Sequence, residues 1–341
     1  MEKQGSGVPT HNLGLDLLRA TEAAALAAGR WVGMGEPIQA DADATDRMYA
    51  TLNLVTMDAT VAVSEEMRIE TCNGLEAGEC IGAGDGPSVD LVVDPIDGRE
   101  LVAGGLPGAI AVMAVAPSGA LWRPHPAAYM DKIVVDAEVA DALVPEVLDA
   151  PAAWTLALVA RAKRKDVEDL TVFVLDRPRH AHLVAEIRDA GAHVMLHREG
   201  DVTGALLAAL PDKNVDLLMG VGGIPEGLIA ACAVKVMGGA MVGRLRPQSD
   251  EEFAGIVSAG LDAEQILVTD EMVNSEEVFF AATGITDGPL LSGVQYRGQR
   301  AESNSLVMRG QTRTRRLIQA WHVLEDRTDR WSRYIPGEPF G

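Results

Sequence analysis

The chain has 341 residues, and its 50 acidic against 29 basic residues give a formal net charge of -21. This excess of acids disfavours binding to nucleic acid or to an anionic membrane surface, because both attract clustered lysines and arginines. The 4% aromatic content offers little for stacking bases, no apolar stretch approaches the roughly 20 residues of a membrane span, and three cysteines are too few for a disulfide framework, which favours the cytoplasm.

Helix and strand patterns alternate in the first part of the chain. Apolar residues at helical spacing predict a helix over residues 13–33, which ends at a Gly-Met-Gly segment. A second helix is predicted from about residue 42 to 55, with Asp41 and Asp43 at its N-terminus, where negative charge is favourable. Apolar strands are predicted at residues 60–63, 89–93 and 109–116.

The second part alternates more regularly and predicts an α/β fold with some parallel sheet. Strands are predicted at residues 170–175, 193–196, 215–220, 265–269, 278–282, 291–297 and 305–309, and helices at 182–190, 202–210 and 225–237. We expect one α/β half over residues 1–145 and a second over 155–323, joined by an Ala-, Pro- and Asp-rich linker within 140–154. The active site is expected between the halves, and a loosely ordered tail at 324–341.

The most informative motif is Val-Val-Asp-Pro-Ile-Asp-Gly-Arg at residues 92–99. An apolar strand stops at Asp94 and Asp97, where proline fixes a turn and glycine permits a conformation that other residues resist. Open α/β sheets bind ligands beyond the carboxyl ends of their strands, and two carboxylates there suit a hard cation such as Mg²⁺. An Asp-Pro sequence also makes an ordinary turn, so the motif alone leaves both interpretations open.

Other acids share this placement at the end of a core element. Glu65 follows the strand at 60–63, Glu226 follows the strand at 215–220, and Asp41 begins a predicted helix. Each could be a solvated surface acid. If they converge, their charges repel one another, and bound cations remove that cost. Two metal ions about 4 Å apart would then clamp the attacking and leaving oxygens of a phosphoryl transfer to water.

Basic and polar residues suited to a phosphorylated sugar follow the next two strands. Arg177 and Arg179 flank Pro178, and two arginines so placed can grip a phosphate in bidentate fashion, although they could also form a plain solvated turn. The segment Glu199-Gly200-Asp201 offers carboxylates for sugar hydroxyls, or simply a helix cap.

With these residues the sequence resembles the class II fructose-1,6-bisphosphatases, the bacterial branch of the Li⁺-sensitive, metal-dependent sugar and inositol phosphatases. The resemblance runs from about residue 13 to 321. It is carried by separated blocks in the same order: residues 93–98, 177–180, 220–227 and 282–288, with weaker support at 31–33, 129–132 and 312–316.

The resemblance implies a layered αβαβα sandwich and hydrolysis of the 1-phosphate of fructose 1,6-bisphosphate with two or three Mg²⁺ or Mn²⁺ ions. It also implies a cytoplasmic homo-oligomer, a dimer or tetramer, with a small sugar phosphate as its ligand. The metal ligands of the family fall on Asp41, Glu65, Asp94, Asp97 and Glu226. Its substrate contacts fall on Asp97, Gly98, Arg99, Tyr129, Arg177, Pro178, Arg179, Glu199, Gly200, Asp201 and Gly223.

Two departures from the family pattern fall in the motif at 92–99. Asp97 stands where the family has glutamate, and Arg99 stands where it has a threonine that helps orient the attacking water. Arginine cannot accept a hydrogen bond. The candidate catalytic residues, with Arg99 in the position of that threonine, are Glu65, Asp94, Asp97 and Arg99.

These departures leave alternatives open. The chain could act on a different phosphosugar in specialised metabolism, or it could bind a sugar phosphate without catalysis. The Gly-rich segment at 220–227 also suggests a nicotinamide-dependent dehydrogenase. Its spacing is not GxGxxG, however, and Glu226 would stand where a pyrophosphate must sit.

Overall fold

The structure is a computed structural model that describes residues 13–64 and 75–324. Its helices are α1 (Gly14–Ala28), α2 (Pro37–Leu52), α3 (Arg99–Gly104), α4 (Ala152–Lys163), α5 (Ala181–Asp189), α6 (Asp201–Ala209), α7 (Ile224–Met237), α8 (Asp250–Ser258) and α9 (Thr269–Met272). Short 3₁₀ turns occur at Ala140–Ala142, Pro145–Leu148, Val167–Asp169 and Pro178–His180.

The strands form two sheets. They are β1 (Asp58–Val63), β2 (Cys80–Ile81), β3 (Ser88–Asp97), β4 (Ile110–Pro117), β5 (Tyr129–Val135), β6 (Thr171–Leu175), β7 (His193–His197), β8 (Leu217–Gly223), β9 (Ala240–Leu245), β10 (Leu267–Val268), β11 (Phe279–Gly284), β12 (Gln295–Arg297), β13 (Arg300–Arg309) and β14 (Thr314–Val323). The first sheet has the order β12-β13-β11-β4-β3-β1-β2, with β14 paired to β13, and the second has the order β10-β9-β5-β8-β6-β7.

Both sheets mix parallel and antiparallel pairs. In the first, β1 and β3 run parallel and β4 returns antiparallel to β3. In the second, β6 runs parallel to both β7 and β8, whereas β5 lies antiparallel to β8 and β9. The expectation of some parallel sheet in the second part of the chain is thus confirmed.

Alternating side chains on the strands divide the core into three apolar layers. Helices α1 and α2 pack on one face of the first sheet, against residues such as Leu91 and Met113. Helices α6 and α7 lie between the sheets, packed on Val92 from one side and Phe173 from the other. Helices α4 and α5 cover the outer face of the second sheet. The predicted αβαβα layering is therefore confirmed.

The strands of the two sheets cross the expected boundary between halves. β5 precedes the predicted linker yet belongs to the second sheet, and β11–β14 come late in the chain yet belong to the first. Residues 140–154 hold two 3₁₀ turns, and Val147 within them packs into the core of the second sheet. The division into 1–145 and 155–323 stays a prediction about folding units.

One boundary differs from expectation in a way that matters for the site. α2 begins at Pro37, five residues before the predicted start, because proline fits the first helical turn, where its missing N–H has no partner to lose. Asp41 therefore lies within the helix and not at its start, so that expectation was wrong. Apart from Leu324, the predicted tail lies outside the described residues.

The described residues also bear on membrane-spanning helices and on the state of the cysteines. No helix there combines the length and apolarity needed to cross a membrane. Cys80 and Cys232 are free thiols, and burial raises the pKa of Cys232 to about 12, while Cys72 lies outside the described residues.

Candidate active site

A polar cavity of about 230 Å³ opens where β3, β6 and β8 end. This is the edge at which an α/β sheet offers ligands its loops and helix N-termini. The cavity is lined by Asp94, Ile96, Asp97, Gly98, Arg99, Tyr129, Leu175, Arg177, Arg179, Glu199, Gly200, Asp201, Gly222, Gly223 and Glu226. Twelve of these fifteen are residues that the sequence singled out, drawn from five separate parts of the chain.

The end of β3 delivers Asp94 and Asp97 into this cavity. Against β4, Asp94 pairs with Val112 but Asp97 with Ile110, so one extra residue bulges from the strand between them. The bulge brings two carboxylates three positions apart to the same side. Gly98 then turns the chain at φ 111°, a conformation that favours glycine, and α3 begins.

Asp97 is bound to the N-terminus of α6. Its Oδ1 accepts the N–H of Asp201 at 3.1 Å, and its Oδ2 accepts those of Val202 and Thr203 at 3.1 and 3.2 Å. These are donors that a helix leaves unsatisfied in its first turn. A carboxylate offers about four lone-pair sites, so capping leaves Asp97 the capacity to bind one further partner.

The pKa of Asp97 is shifted by its burial and by the acids around it. Burial raises the pKa of Asp97 well above its usual range, and the charges of Glu226, Asp201 and Glu199 raise it further, while the Thr203 N–H opposes them. Asp94, whose Oδ1 accepts the Ile96 N–H at 3.0 Å, is also buried. Such crowding of carboxylates is tolerated when a cation neutralises it.

The donor set of Asp94, Asp97 and Glu226 fits a hard divalent cation, which takes oxygen ligands. Among residues 13–64 and 75–324, no three His, Cys, Asp or Glu side chains are already gathered closely enough to hold a metal ion. The three carboxylates thus share a cavity without forming a finished coordination sphere. The fifth expected ligand, Glu65, lies outside the described residues.

Beneath the cavity lies a buried ion pair that the sequence analysis did not predict. Lys132 Nζ contacts Asp201 Oδ2 at 2.6 Å, and these side chains are only 1% and 7% exposed. Lys132 reaches Asp201 from β5 across β8, past Gly222. A Cβ on Gly222 would lie 1.8 Å from Asp201 Oδ2 and 2.4 Å from Lys132 Nζ, so only glycine admits the pair.

Replacing Lys132 with methionine is expected to lower the free energy of unfolding by about 3–5 kcal/mol, because it leaves the Asp201 carboxylate buried without its cation. Urea denaturation of Lys132→Met measures the change. The double variant Lys132→Met/Asp201→Asn removes the orphaned charge as well, and we expect it to recover at least half of the loss. Equal stability of Lys132→Met and the parent protein would contradict this role for the pair.

The basic turn after β6 is held by its own contacts. Arg177 Nη2 lies 3.4 Å from Glu199 Oε1, while Arg179 donates to the Val221 carbonyl at 2.8 Å and lies over the Tyr129 ring at 5.5 Å. Both guanidinium groups line the cavity. Pro178 starts the 3₁₀ turn and is not among the lining residues.

His180 fixes the position of this turn against β8. Its Nδ1 lies 2.7 Å from the Leu175 carbonyl, and the Val221 N–H donates to its Nε2 at 2.8 Å. These contacts require a neutral ring with the proton on Nδ1. Burial lowers the pKa of His180, which keeps the ring in that form. His180 belongs to the block at residues 177–180, but nothing in the sequence indicated this role.

Asp41 and Arg99 form an ion pair at the edge of the cavity. Arg99 Nη1 lies 3.7 Å from Asp41 Oδ2. Burial raises the pKa of Asp41, and the Arg99 guanidinium opposes that rise. Nearby Asp43 accepts a hydrogen bond from Trp31 Nε1 at 2.7 Å. Asp41 is not among the residues that line the cavity with Asp94.

Comparison with known proteins finds the same similarity along nearly the whole chain. A family model described as bacterial fructose-1,6-bisphosphatase, glpX-encoded, matches residues 11–322. The class 2 fructose-1,6-bisphosphatase of Haemophilus influenzae is 37% identical over 327 residues, 92% of this chain and 97% of that protein. Fructose-1,6-bisphosphatase 1 class 2 of Escherichia coli K12 is 37% identical over 330 residues, 93% of this chain and 96% of that protein.

Proposed function

Because the chain belongs to the glpX-encoded family of bacterial fructose-1,6-bisphosphatases, we propose that it hydrolyses the 1-phosphate of fructose 1,6-bisphosphate. The observation that carries this proposal is one cavity lined both by the acids Asp94, Asp97 and Glu226 and by the arginines Arg177 and Arg179. None of the comparisons favours a different phosphosugar, a non-catalytic binding protein or a dehydrogenase.

The arginines of the cavity suit the phosphate that does not react. Arg177 and Arg179 present two guanidinium groups to the cavity, and arginine forks match phosphate oxygens in pairs. Tyr129 supports Arg179 through its ring and lines the cavity beside it. We assign these three residues to the phosphate remote from the bond that breaks, while Pro178 starts the turn that carries the two arginines.

The carboxylates of the cavity suit the reacting phosphate and its cations. Asp94, Asp97 and Glu226 would hold a divalent cation, which when bound generates a nucleophile from water and stabilises the leaving oxygen. The first-turn N–H groups of α6 are taken by Asp97, so α7, which begins beside Gly223, is the helix whose N-terminus favours a bound anion. Glu199 and Asp201 remain the candidate partners of the sugar hydroxyls.

Members of this family are metal-dependent phosphatases. The identity of the metal and of its ligands in this chain is part of our proposal. We expect Mg²⁺ or Mn²⁺, since both accept carboxylate oxygens, and Glu65 as a further ligand. We also expect a cytoplasmic enzyme that assembles as a homodimer or homotetramer and binds no nucleic acid or membrane, in keeping with the net charge of -21.

The proposal is tested by measuring inorganic phosphate released from fructose 1,6-bisphosphate and from a panel of other sugar bisphosphates, with Mg²⁺ or Mn²⁺ present. We expect turnover of fructose 1,6-bisphosphate, and little with metal chelated. A folded, metal-loaded protein that releases phosphate from none of these substrates would falsify the proposed activity. Preference for another bisphosphate would revive the specialised-metabolism alternative.

Replacing Arg177 with alanine is expected to raise KM for fructose 1,6-bisphosphate about tenfold to a hundredfold, while kcat changes little. A charge-assisted contact to the unreacting phosphate is made equally before and during reaction, so its loss weakens binding alone. Steady-state kinetics measure both constants. Arg161→Ala, at an exposed position on α4, is the control and should leave KM unchanged. A large loss in kcat with KM unchanged would place Arg177 at the reacting phosphate.

A further inference from the structure

The start of β5 is held by a carboxylate from a distant part of the chain. Glu252 lies in the first turn of α8, and its Oε1 accepts the N–H of Ala128 at 2.8 Å and that of Tyr129 at 3.3 Å. Its Oε2 accepts the N–H of Gln248 at 2.7 Å. One side chain therefore ties the backbone entering β5 to the loop between β9 and α8, through bonds that the negative charge strengthens.

The same loop also binds the other side of the Tyr129 backbone. The Arg246 N–H donates to the Tyr129 carbonyl at 2.9 Å, and the Gln248 side chain donates to the Arg246 carbonyl at 2.7 Å. Tyr129 is thus fixed through both its N–H and its carbonyl. Its side chain lines the active-site cavity, where the Arg179 guanidinium lies 5.5 Å from the centre of its ring.

The contacts of Glu252 go beyond what α8 itself requires. An acid in the first turn favours any helix, and the exposed Asp250 and Glu251 already supply that charge. The three N–H groups that Glu252 accepts belong to residues outside α8. Ser249 accepts the Glu252 N–H at 3.1 Å, which fixes the start of the helix from which this carboxylate extends.

We propose that Glu252 is a positioning residue of the active site, which holds the Tyr129 backbone so that the ring lies beside Arg179. Glu252 is not among the residues that line the cavity, so it acts through Tyr129. The inference rests on the proposed function for the part that Tyr129 and Arg179 play in binding the unreacting phosphate. That phosphate is bound equally before and during reaction, so loss of Glu252 should affect KM more than kcat.

Replacing Glu252 with glutamine tests this with little change in size. The amide has one acceptor oxygen in place of two, so it cannot serve both β5 and the loop. We expect KM for fructose 1,6-bisphosphate to rise about threefold to tenfold, as one or two hydrogen bonds are lost, with kcat within about twofold of the parent. The control Glu251→Gln removes the same charge from the same helical turn and should leave KM unchanged.

A second background separates positioning of Tyr129 from general damage to the fold. Tyr129→Ala removes the ring that Glu252 places. Adding Glu252→Gln to Tyr129→Ala should raise KM by less than about twofold more, because the two residues act as one unit. An added rise as large as the one in the parent background would show that Glu252 acts by another route, and would overturn the inference.

Hydrogen exchange at the Ala128 and Tyr129 amides of the full chain, without substrate, measures the contact independently of activity. We expect exchange at least about tenfold faster in Glu252→Gln than in Glu251→Gln. Unchanged exchange, or faster exchange with an unchanged KM, overturns the inference. Failure of the proposed function appears separately, as absence of phosphate release by the parent protein.

Discussion

Replacing Asp94 with asparagine is expected to lower kcat for phosphate release at least about a hundredfold and to leave the fold intact. The amide has nearly the size of the carboxylate, and its oxygen can still accept the Ile96 N–H that Asp94 Oδ1 accepts at 3.0 Å. What it loses is the negative charge that a divalent cation requires at the end of β3. The measurement is steady-state phosphate release at saturating fructose 1,6-bisphosphate and Mn²⁺.

The matched control is Asp85→Asn, which removes one charge at an exposed position before β3 and should keep the parent rate. Thermal unfolding of both variants checks that the fold persists. If Asp94→Asn retains a rate within about threefold of the parent protein, a difference too small for a lost cation ligand, then Asp94 does not act at the reacting phosphate.

Replacing Gly222 with alanine should be among the most damaging single changes in the chain. The added Cβ would lie 1.8 Å from Asp201 Oδ2 and 2.4 Å from Lys132 Nζ, far inside van der Waals contact. Either the ion pair separates or β8 moves away from it. Because a broken buried pair costs about 3–5 kcal/mol, we expect a fall of that size in the free energy of unfolding, measured by urea denaturation.

The displacement should also lower the rate of phosphate release, because Asp201 and the neighbouring Gly223 line the cavity. Gly104→Ala is the matched control: its Cβ would come no closer than 3.4 Å to Leu106, and alanine favours the helix in which residue 104 lies. We expect the control to be neutral or slightly stabilising. If Gly222→Ala is as stable as Gly104→Ala, then a side chain at position 222 does not disturb the Lys132–Asp201 pair, and this prediction is wrong.

Much of the site could be predicted because its residues follow strands. Each of them stands where a short apolar run stops, which is a pattern local in the sequence. The acids lie at the end of β3 and after β8, and the arginines lie after β6. The carboxyl ends of such strands meet at one edge of a layered fold, so local patterns were enough to bring these residues together.

The residues that were missed depend on partners far away in the chain. Lys132 interrupts the apolar pattern of β5, and its burial is tolerated only because Asp201, 69 residues later, neutralises it. The pattern of β5 alone therefore did not indicate a strand. β14 was missed for a different reason, since its side chains are mostly exposed and its position depends on pairing with β13.

The pairing of Arg99 with Asp41 was likewise beyond local pattern. The sequence placed Arg99 among the candidate catalytic and substrate-binding residues, and nothing near either residue indicated the other. Only the packing of α2 beside α3 brings them together. This contact places Asp41, a residue expected as a metal ligand, beside an arginine.

We expect Asp94, Asp97 and Glu226 together to hold a divalent cation in the cavity. Anomalous diffraction from crystals of the full chain grown with Mn²⁺ tests it most directly. We expect a manganese peak within about 2.0–2.3 Å of carboxylate oxygens from these three residues. An empty cavity at saturating Mn²⁺, or a peak bound only by acids elsewhere on the surface, would contradict it.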